Sequence, residues 1–253
     1  MAEIKEKNGI KWLSFDLLAS CKELKHAVFL RHGGCSKAPY DSLNFSYHVE
    51  DDKEAVDSNY KRAQEILEAP TIICARLNHG VSIHAVTHSN DHPQEACDGL
   101  CTEIPDIGLS ITHADCQAAI LYDPIKRAVA VLHAGWRGNV QNFYQLAVAF
   151  MKKTFGSSPQ NLLACISPSL GPDAAEFIHY KNELPKEFWQ FSNKPNYFDF
   201  WAIANWQLRS AGVLPHHIEI AEHCTYTDQK NFYSYRRSPK NGRHATIVCL
   251  NSN

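Results

Sequence analysis

Apolar positions along this 253-residue chain fall into two periods, and the places where one gives way to the other outline its elements. Residues 26–30 (His-Ala-Val-Phe-Leu) form a short apolar run that enters Arg31-His32-Gly33-Gly34, which predicts a strand ending in a glycine turn. Over 52–67, Val56, Tyr60, Ala63 and Leu67 recur at spacings of three and four, with acidic residues in the first turn and Pro70 beyond. That is the signature of an amphipathic helix with a defined end. Residues 71–74 and 81–86 are strand candidates flanking Asn78-His79-Gly80, so His79 belongs at a turn or strand end. Residues 117–122 and 128–133 are β-rich runs joined by Asp123-Pro124-Ile125-Lys126-Arg127, which reads as a hairpin.

Beyond the hairpin, Val140, Phe143, Tyr144, Ala147, Phe150 and Met151 follow helical spacing, with Asn139 as N-cap and Gly156 as stop. This places Trp136-Arg137-Gly138 just before a helix N-terminus, where free N–H groups favour an anion such as phosphate. Residues 161–166 predict a strand, 199–211 a helix and 244–250 a closing strand. Hairpins mixed with isolated helices indicate an α+β fold, a single layered domain of mixed β-sheets flanked by helices spanning 1–253. No repeat or low-complexity linker divides the chain, and one domain of this length buries a full core.

Composition narrows the partners. A hydrophobic share of 44% and a charged share of 21% describe a globular chain, and a net charge of -2 gives no reason to expect nucleic acid or an anionic membrane. No run approaches the roughly 18 apolar residues of a membrane span, and the charged start Glu3-Ile4-Lys5-Glu6-Lys7 has no apolar leader core, so a cytoplasmic location is expected. Nine scattered cysteines in a reducing compartment are free thiols or ligands rather than a disulfide framework. Fourteen histidines raise the interest of metal and acid/base chemistry.

In the predicted hairpin, Cys116 precedes the first strand and His133 closes the second, so antiparallel pairing brings them to the same end. With His79 they form a candidate three-ligand set for one zinc, which leaves a fourth position for water or substrate, the arrangement of catalytic rather than closed structural sites. Arg31 and Arg137 are candidate oxyanion partners, since guanidinium forks suit phosphate. Asp115, next to Cys116, is a candidate for orienting a ligand histidine or for acid/base work, with a turn-capping carboxylate as its ordinary alternative. His48 and His113 are more simply structural histidines. Trp136 is more simply packing than a stacking platform, and Arg236-Arg237 more simply supports the fold or the site rim.

The chain resembles the YfiH family, also called the laccase-domain or polyphenol-oxidase-like family, described as multifunctional purine nucleoside enzymes. The resemblance runs from about Phe29 to about Ile247. Its markers are Arg31-His32-Gly33-Gly34 with Ser36, Pro39-Tyr40, Ser42-Leu43-Asn44, His48-Val49, Asn78-His79-Gly80, Ala114-Asp115-Cys116, His133 to Gly138, Gly171-Pro172, and Phe232 to Arg237 before Gly242-Arg243.

The resemblance implies zinc on His79, Cys116 and His133, a layered mixed α/β fold, and phosphorolysis of adenosine, inosine, guanosine and methylthioadenosine with adenosine deamination. Phosphate and purine nucleosides are then the expected partners. Catalytic roles are expected at Asp115, Arg137 and Arg31, and substrate contacts at Arg31, Ser36, Asn44 and Arg137. The chain departs from the family pattern at Leu77-Asn78, His113, Ser167, Ser169, Asp173 and Ala175, departures that bear on substrate range and rate.

Three other functions remain open from sequence. One is a Cys116/His133 amide hydrolase of the kind that edits peptidoglycan precursors. Another is a copper-dependent polyphenol oxidase, which the absence of His-x-His pairs disfavours, although copper suits the same N/S ligands. The last is a degenerate, non-enzymatic binding module.

Overall fold

A computed structural model describes residues 2–252. The chain forms two six-stranded mixed sheets packed face to face. The first sheet contains β1 (Glu3–Lys7), β2 (Ile10–Ser14), β3 (Leu24–Phe29), β4 (Thr71–Cys74), β7 (Ile107–His113) and β14 (His244–Leu250), in the order β1-β2-β3-β14-β7-β4. The second contains β5 (Ile83–Ala85), β6 (Gly99–Thr102), β8 (Gln117–Asp123), β9 (Ala128–Ala134), β10 (Leu163–Ile166) and β13 (Ile218–Ile220), in the order β13-β10-β8-β9-β6-β5. A short hairpin of β11 (Ser192–Lys194) and β12 (Tyr197–Phe198) stands apart from both.

Alternation along the strands builds the layers. Val129 and Val131 of β9, Ile120 and Tyr122 of β8, Leu109 and Ile111 of β7, and Val248 of β14 fill the space between the sheets. The intervening residues face outward and are covered by helices. Leu121, Ala130 and Leu132 pack under α3 (Phe143–Phe155) and α5 (Phe200–Ser210), while Ala27, Phe29 and Ile247 pack under α1 (Lys53–Leu67). Strands covered on both faces have no polar face to show, which is why β8 and β9 read as continuous apolar runs. Burying a leucine such as Leu132 contributes about 1.5–3 kcal/mol.

Most predicted elements form with small shifts in their ends. Asp52 caps α1 by accepting the Glu54 N–H at 3.0 Å, and Asp199 caps α5 by accepting the Ala202 N–H at 2.9 Å. The hairpin pairs Gln117 with Ala134 and Ala118 with His133, as its sequence suggests.

The helix expected after Asn139 is instead two helices. A five-residue α2 (Trp136–Val140) opens at Gly135, and Asn142, in the left-handed region at φ 55°, restarts the chain as α3. Arg137 therefore lies inside the first short helix rather than ahead of a long one. A fourth, short helix, α4 (Tyr180–Glu183), lies in the segment 170–200, which adds an aromatic cluster of Phe188, Phe198 and Phe200 over Trp136 and Phe177.

Candidate metal centre

The side chains of the candidate ligand set gather at the end of the second sheet where β8 begins and β9 finishes. His133 is the penultimate residue of β9 and is buried, Cys116 lies just before β8 and is half-buried, and His79 sits on the exposed loop between β4 and β5. One donor atom from each lies within 4.8 Å of the other two. The His79 and His133 rings meet edge to face, with centroids 4.9 Å apart at 84°. A tetrahedral zinc with bonds of about 2.0–2.3 Å needs its ligand atoms roughly 3.5 Å apart, so a small contraction suffices. Two imidazoles and one thiol are also a donor set zinc accepts.

Gly135 makes this approach possible. A Cβ at that position would crowd Cys116 Sγ at 3.0 Å and lie in ordinary contact with His79 Cδ2 at 3.5 Å, so a side chain here would displace the thiol.

The carboxylate that organises the site is Asp98, which sequence reasoning passed over. Fully buried just before β6, it accepts from His133 Nδ1 at 2.8 Å, and the same oxygen accepts the His79 N–H at 3.0 Å. Its other oxygen accepts the N–H groups of Asn78 at 3.1 Å and Gly80 at 2.8 Å. One carboxylate therefore sets the His133 ring, leaves Nε2 for an ion, and ties down the His79 loop. Burial alone would raise the Asp98 pKa, but the bonds from His133, Gly80 and Asn78 hold it below the usual range.

Charge at the ligands is coupled. Burial disfavours a Cys116 thiolate, yet the His133 imidazole beside it, with hydrogen bonds from His133 and His79, holds the thiol below its ordinary value. For His133 burial again opposes charge, and Cys116 and Asp98 outweigh it and raise the imidazole. A thiolate is what a metal requires of cysteine.

Two cavities meet at Cys116. One, of about 270 Å³, is largely apolar and is lined by Leu170, Ala175, Phe177, Ile178 and Phe200, with Gln117 and Asn139 among its polar groups. The other is a cleft of about 610 Å³ that holds His48, His79, His133, Arg137, Arg236 and Arg243. Asp115, Cys116, Trp136, Leu170 and Arg236 belong to the walls of both.

The expected site residues divide on this geometry. Arg137 lines the cleft, is exposed, and lies over its neighbour Trp136 at 4.5 Å from the ring. Arg31, Ser36 and Asn44 are not among the residues lining either cavity. The Arg31 guanidinium is taken up by Asp41 at 3.1 Å and the Gln229 carbonyl at 3.2 Å, and it stacks over Tyr233. Ser36 accepts from the buried Asn59 at 3.0 Å. Asn44, fully buried, accepts the Arg243 N–H at 2.9 Å and so supports a cleft arginine from behind. Asp115 bonds neither His79 nor His133, and the His133 ring is set by Asp98. The Asp115 oxygens accept from the Thr225 hydroxyl at 2.7 Å and the Arg236 N–H at 2.6 Å, joining two rim loops.

Arg243 belongs to the Gly242-Arg243 pair just ahead of β14, and that position after a glycine is the one signal of its place in the cleft that the sequence carries. Arg237 binds the carbonyls of Thr225, Tyr226 and Phe232 and supports the fold, while Arg236 forms the rim.

The departures from the family pattern also have partners. His113 shares a hydrogen bond with Thr246 Oγ1 at 2.8 Å, Ser167 accepts the Ala118 N–H at 2.8 Å, Ser169 accepts from Trp201 Nε1 at 2.7 Å, and Asp173 pairs with Lys194 at 3.1 Å. Leu77 lines the cleft and Ala175 the apolar cavity.

Layered mixed sheets with a His-Cys-His set lining a cleft define an α+β protein with one candidate metal site among the described residues. The family model described as multi-copper polyphenol oxidoreductase laccase matches residues 25–251, and the chain belongs to that family, the one that also contains YfiH and YlmD. A Pseudomonas aeruginosa protein named purine nucleoside phosphorylase is 32% identical over 94% of this chain and 98% of its own length. Escherichia coli YfiH, named likewise, is 29% identical over 87% of this chain and 91% of its own. Among solved structures, YlmD from Geobacillus stearothermophilus superposes with a TM-score of 0.87 at 28% identity over 98% of both chains. Among the described residues no helix is long and apolar enough to cross a membrane.

Proposed function

We propose that the protein is a zinc-dependent purine nucleoside phosphorylase acting on adenosine, inosine, guanosine and methylthioadenosine, with adenosine deamination as a second activity. The observation that carries this reading is that the ligand set lines an arginine-bearing cleft and that one of its members, Cys116, also lines the apolar cavity beside it. A nucleoside is an apolar ring joined to a polar sugar, and phosphate must approach the junction. The base fits the apolar cavity beside Trp136 and Phe177, and the ribose and phosphate fit the cleft. The names of the relatives support the same reaction.

In phosphorolysis a phosphate oxygen bonds to the anomeric carbon as the carbon–nitrogen bond breaks, and the electron pair leaves with the purine, which takes up a proton. Arg137 and Arg243, both on the cleft, hold the phosphate dianion and concentrate it at the sugar. Arg236, on both walls, offsets charge at the boundary, and Asp115 positions it through its backbone. Zinc on His79, Cys116 and His133 would supply a Lewis acid at this boundary. Copper fits the same donors and is the metal that the family description names.

The test joins metal analysis of purified protein to a phosphate-dependent assay of inosine and adenosine, on wild type and Cys116→Ala. One zinc per chain, with purine release that needs phosphate and fails in the variant, is the expected result. Zinc without turnover of any nucleoside overturns it.

A second reading, the Cys/His amide hydrolase, is favoured by one observation: His133 draws the Cys116 thiol toward thiolate. It requires a thiol free of metal, so stoichiometric, tightly held zinc counts against it.

A further inference from the structure

Beneath the apolar cavity lies a buried amide network in which two acceptors, Asn139 Oδ1 and Gln207 Oε1, have no partner, and of these two residues Asn139 is the one that lines the cavity. Asn139, 1% exposed, lines the cavity, and its Oδ1 receives no hydrogen bond. A buried carbonyl oxygen left without a donor is costly, and such groups in native proteins usually await a ligand or water.

The orientation of this amide is set by its surroundings. Asn139 Nδ2 is directed at three acceptors, Gln117 Oε1 at 3.2 Å, the Ala134 carbonyl at 3.3 Å and the Gly135 carbonyl at 3.1 Å. Gln117 is fixed in turn, since its Nε2 donates to the Phe200 carbonyl at 2.9 Å and its Oε1 also accepts from Tyr144 at 2.9 Å. Gln207 Nε2 pins the Asn139 backbone carbonyl at 2.7 Å. Rotating the Asn139 amide by half a turn would set its oxygen against three other oxygens. Oδ1 therefore stays an acceptor, and an occupant of the cavity satisfies it only by bringing an N–H or O–H.

We infer that Asn139 reads the hydrogen-bonding edge of the base: its Oδ1 accepts from a ring N–H or an exocyclic amino group and selects purines that carry one on the six-membered ring. This rests on the nucleoside reading above, and it gives that site a rule of discrimination. A site built around a buried acceptor rejects the analogue that lacks the donor far more strongly than an apolar pocket does.

The probe is 6-methylpurine riboside, in which a methyl group stands where adenosine has its amino group, so size is kept and the donor is lost. Dissociation constants for inosine and this analogue are measured calorimetrically on the metal-loaded wild type without phosphate, inosine being the natural nucleoside that has no amino group to lose. The analogue is expected to bind at least about 10-fold more weakly than inosine. In Asn139→Ala that gap is expected to close to within about 2-fold, whatever the absolute affinities. Equal binding of the analogue and inosine by the wild type overturns the inference while leaving the phosphorylase reading in place. Failure of any nucleoside to bind overturns both. The wild-type comparison decides the matter even if the variant does not fold.

Discussion

Asp98 and His133 are joined twice: the Asp98 carboxylate accepts from the His133 ring at 2.8 Å, and the Asp98 carbonyl accepts the His133 N–H at 2.6 Å. Asp98→Asn keeps the shape but turns one acceptor into a donor facing N–H groups. Metal affinity is expected to fall about 10- to 100-fold, measured by competition with a chromophoric chelator, and stability by about 1–3 kcal/mol. Unchanged metal affinity would remove Asp98 from the account.

Two glycines three residues apart predict opposite outcomes. Gly135→Ala is expected to weaken metal binding roughly 10-fold, because its methyl meets Cys116 Sγ at 3.0 Å. Gly138→Ala meets the Gly80 carbonyl and the Phe143 side chain at 3.7 Å, ordinary contact distance, so inside α2 it is expected to leave metal binding unchanged and raise stability by about 0.5–1 kcal/mol. Metal titrations and thermal melts of both variants check the pair.

For the arginines the expectation is a separation of effects. Arg137→Ala and Arg243→Ala should raise the KM for phosphate about 10-fold or more with little change in the nucleoside KM. Arg31→Ala should instead lower the melting temperature and leave the phosphate KM within about 2-fold, since its guanidinium is spent on Asp41 and Gln229. Steady-state kinetics with phosphate varied would show a reversed pattern if Arg31 were the anion partner.

Acid should destabilise the fold through buried histidines outside the candidate ligand set. Burial holds His26 down to about 4 and His244 down to about 3, each neutral while accepting a backbone N–H, from Phe15 and Tyr233 respectively. A histidine with a lowered folded value contributes stability above its unfolded pKa near 6.5 and loses it as pH falls toward the folded value. At pH 5.5 each costs about 1.4 kcal/mol relative to neutral pH. Together that is a fall of roughly 5–10 °C in Tm. His26→Gln should remove about half of this pH dependence, and a melt series at pH 5.5 and 7.5 that shows the same slope as wild type would count against it.

Legibility in the sequence followed the range of the contacts involved. The β8–β9 hairpin, α1 and α5 announce themselves through local periodicity and caps, and the convergence of Cys116 with His133 follows from one hairpin. β1 was hidden because all five of its residues are exposed and four are charged, as suits an edge strand. β7 carries Gly108 and Ser110 within a fully interior strand, which breaks its apolar run. Asp98 sits between Cys97 and Gly99 in a stretch with no motif or periodicity of its own, and its purpose appears only once β6 and β9 pair. The break at Asn142 depends on a single left-handed residue that helical spacing does not register.

The three ligands differ in what holds them. His133 and Cys116 are fixed by a hairpin at the centre of the protein, whereas His79 hangs from an exposed loop by backbone bonds to Asp98. An ion bound here would be seated on a preformed floor and finished by a third arm carried on a surface loop. Exchange of metal would then need only residues 77–80 to release Asp98 while both sheets keep their pairing, so the site could be emptied and refilled without passing through an unfolded chain.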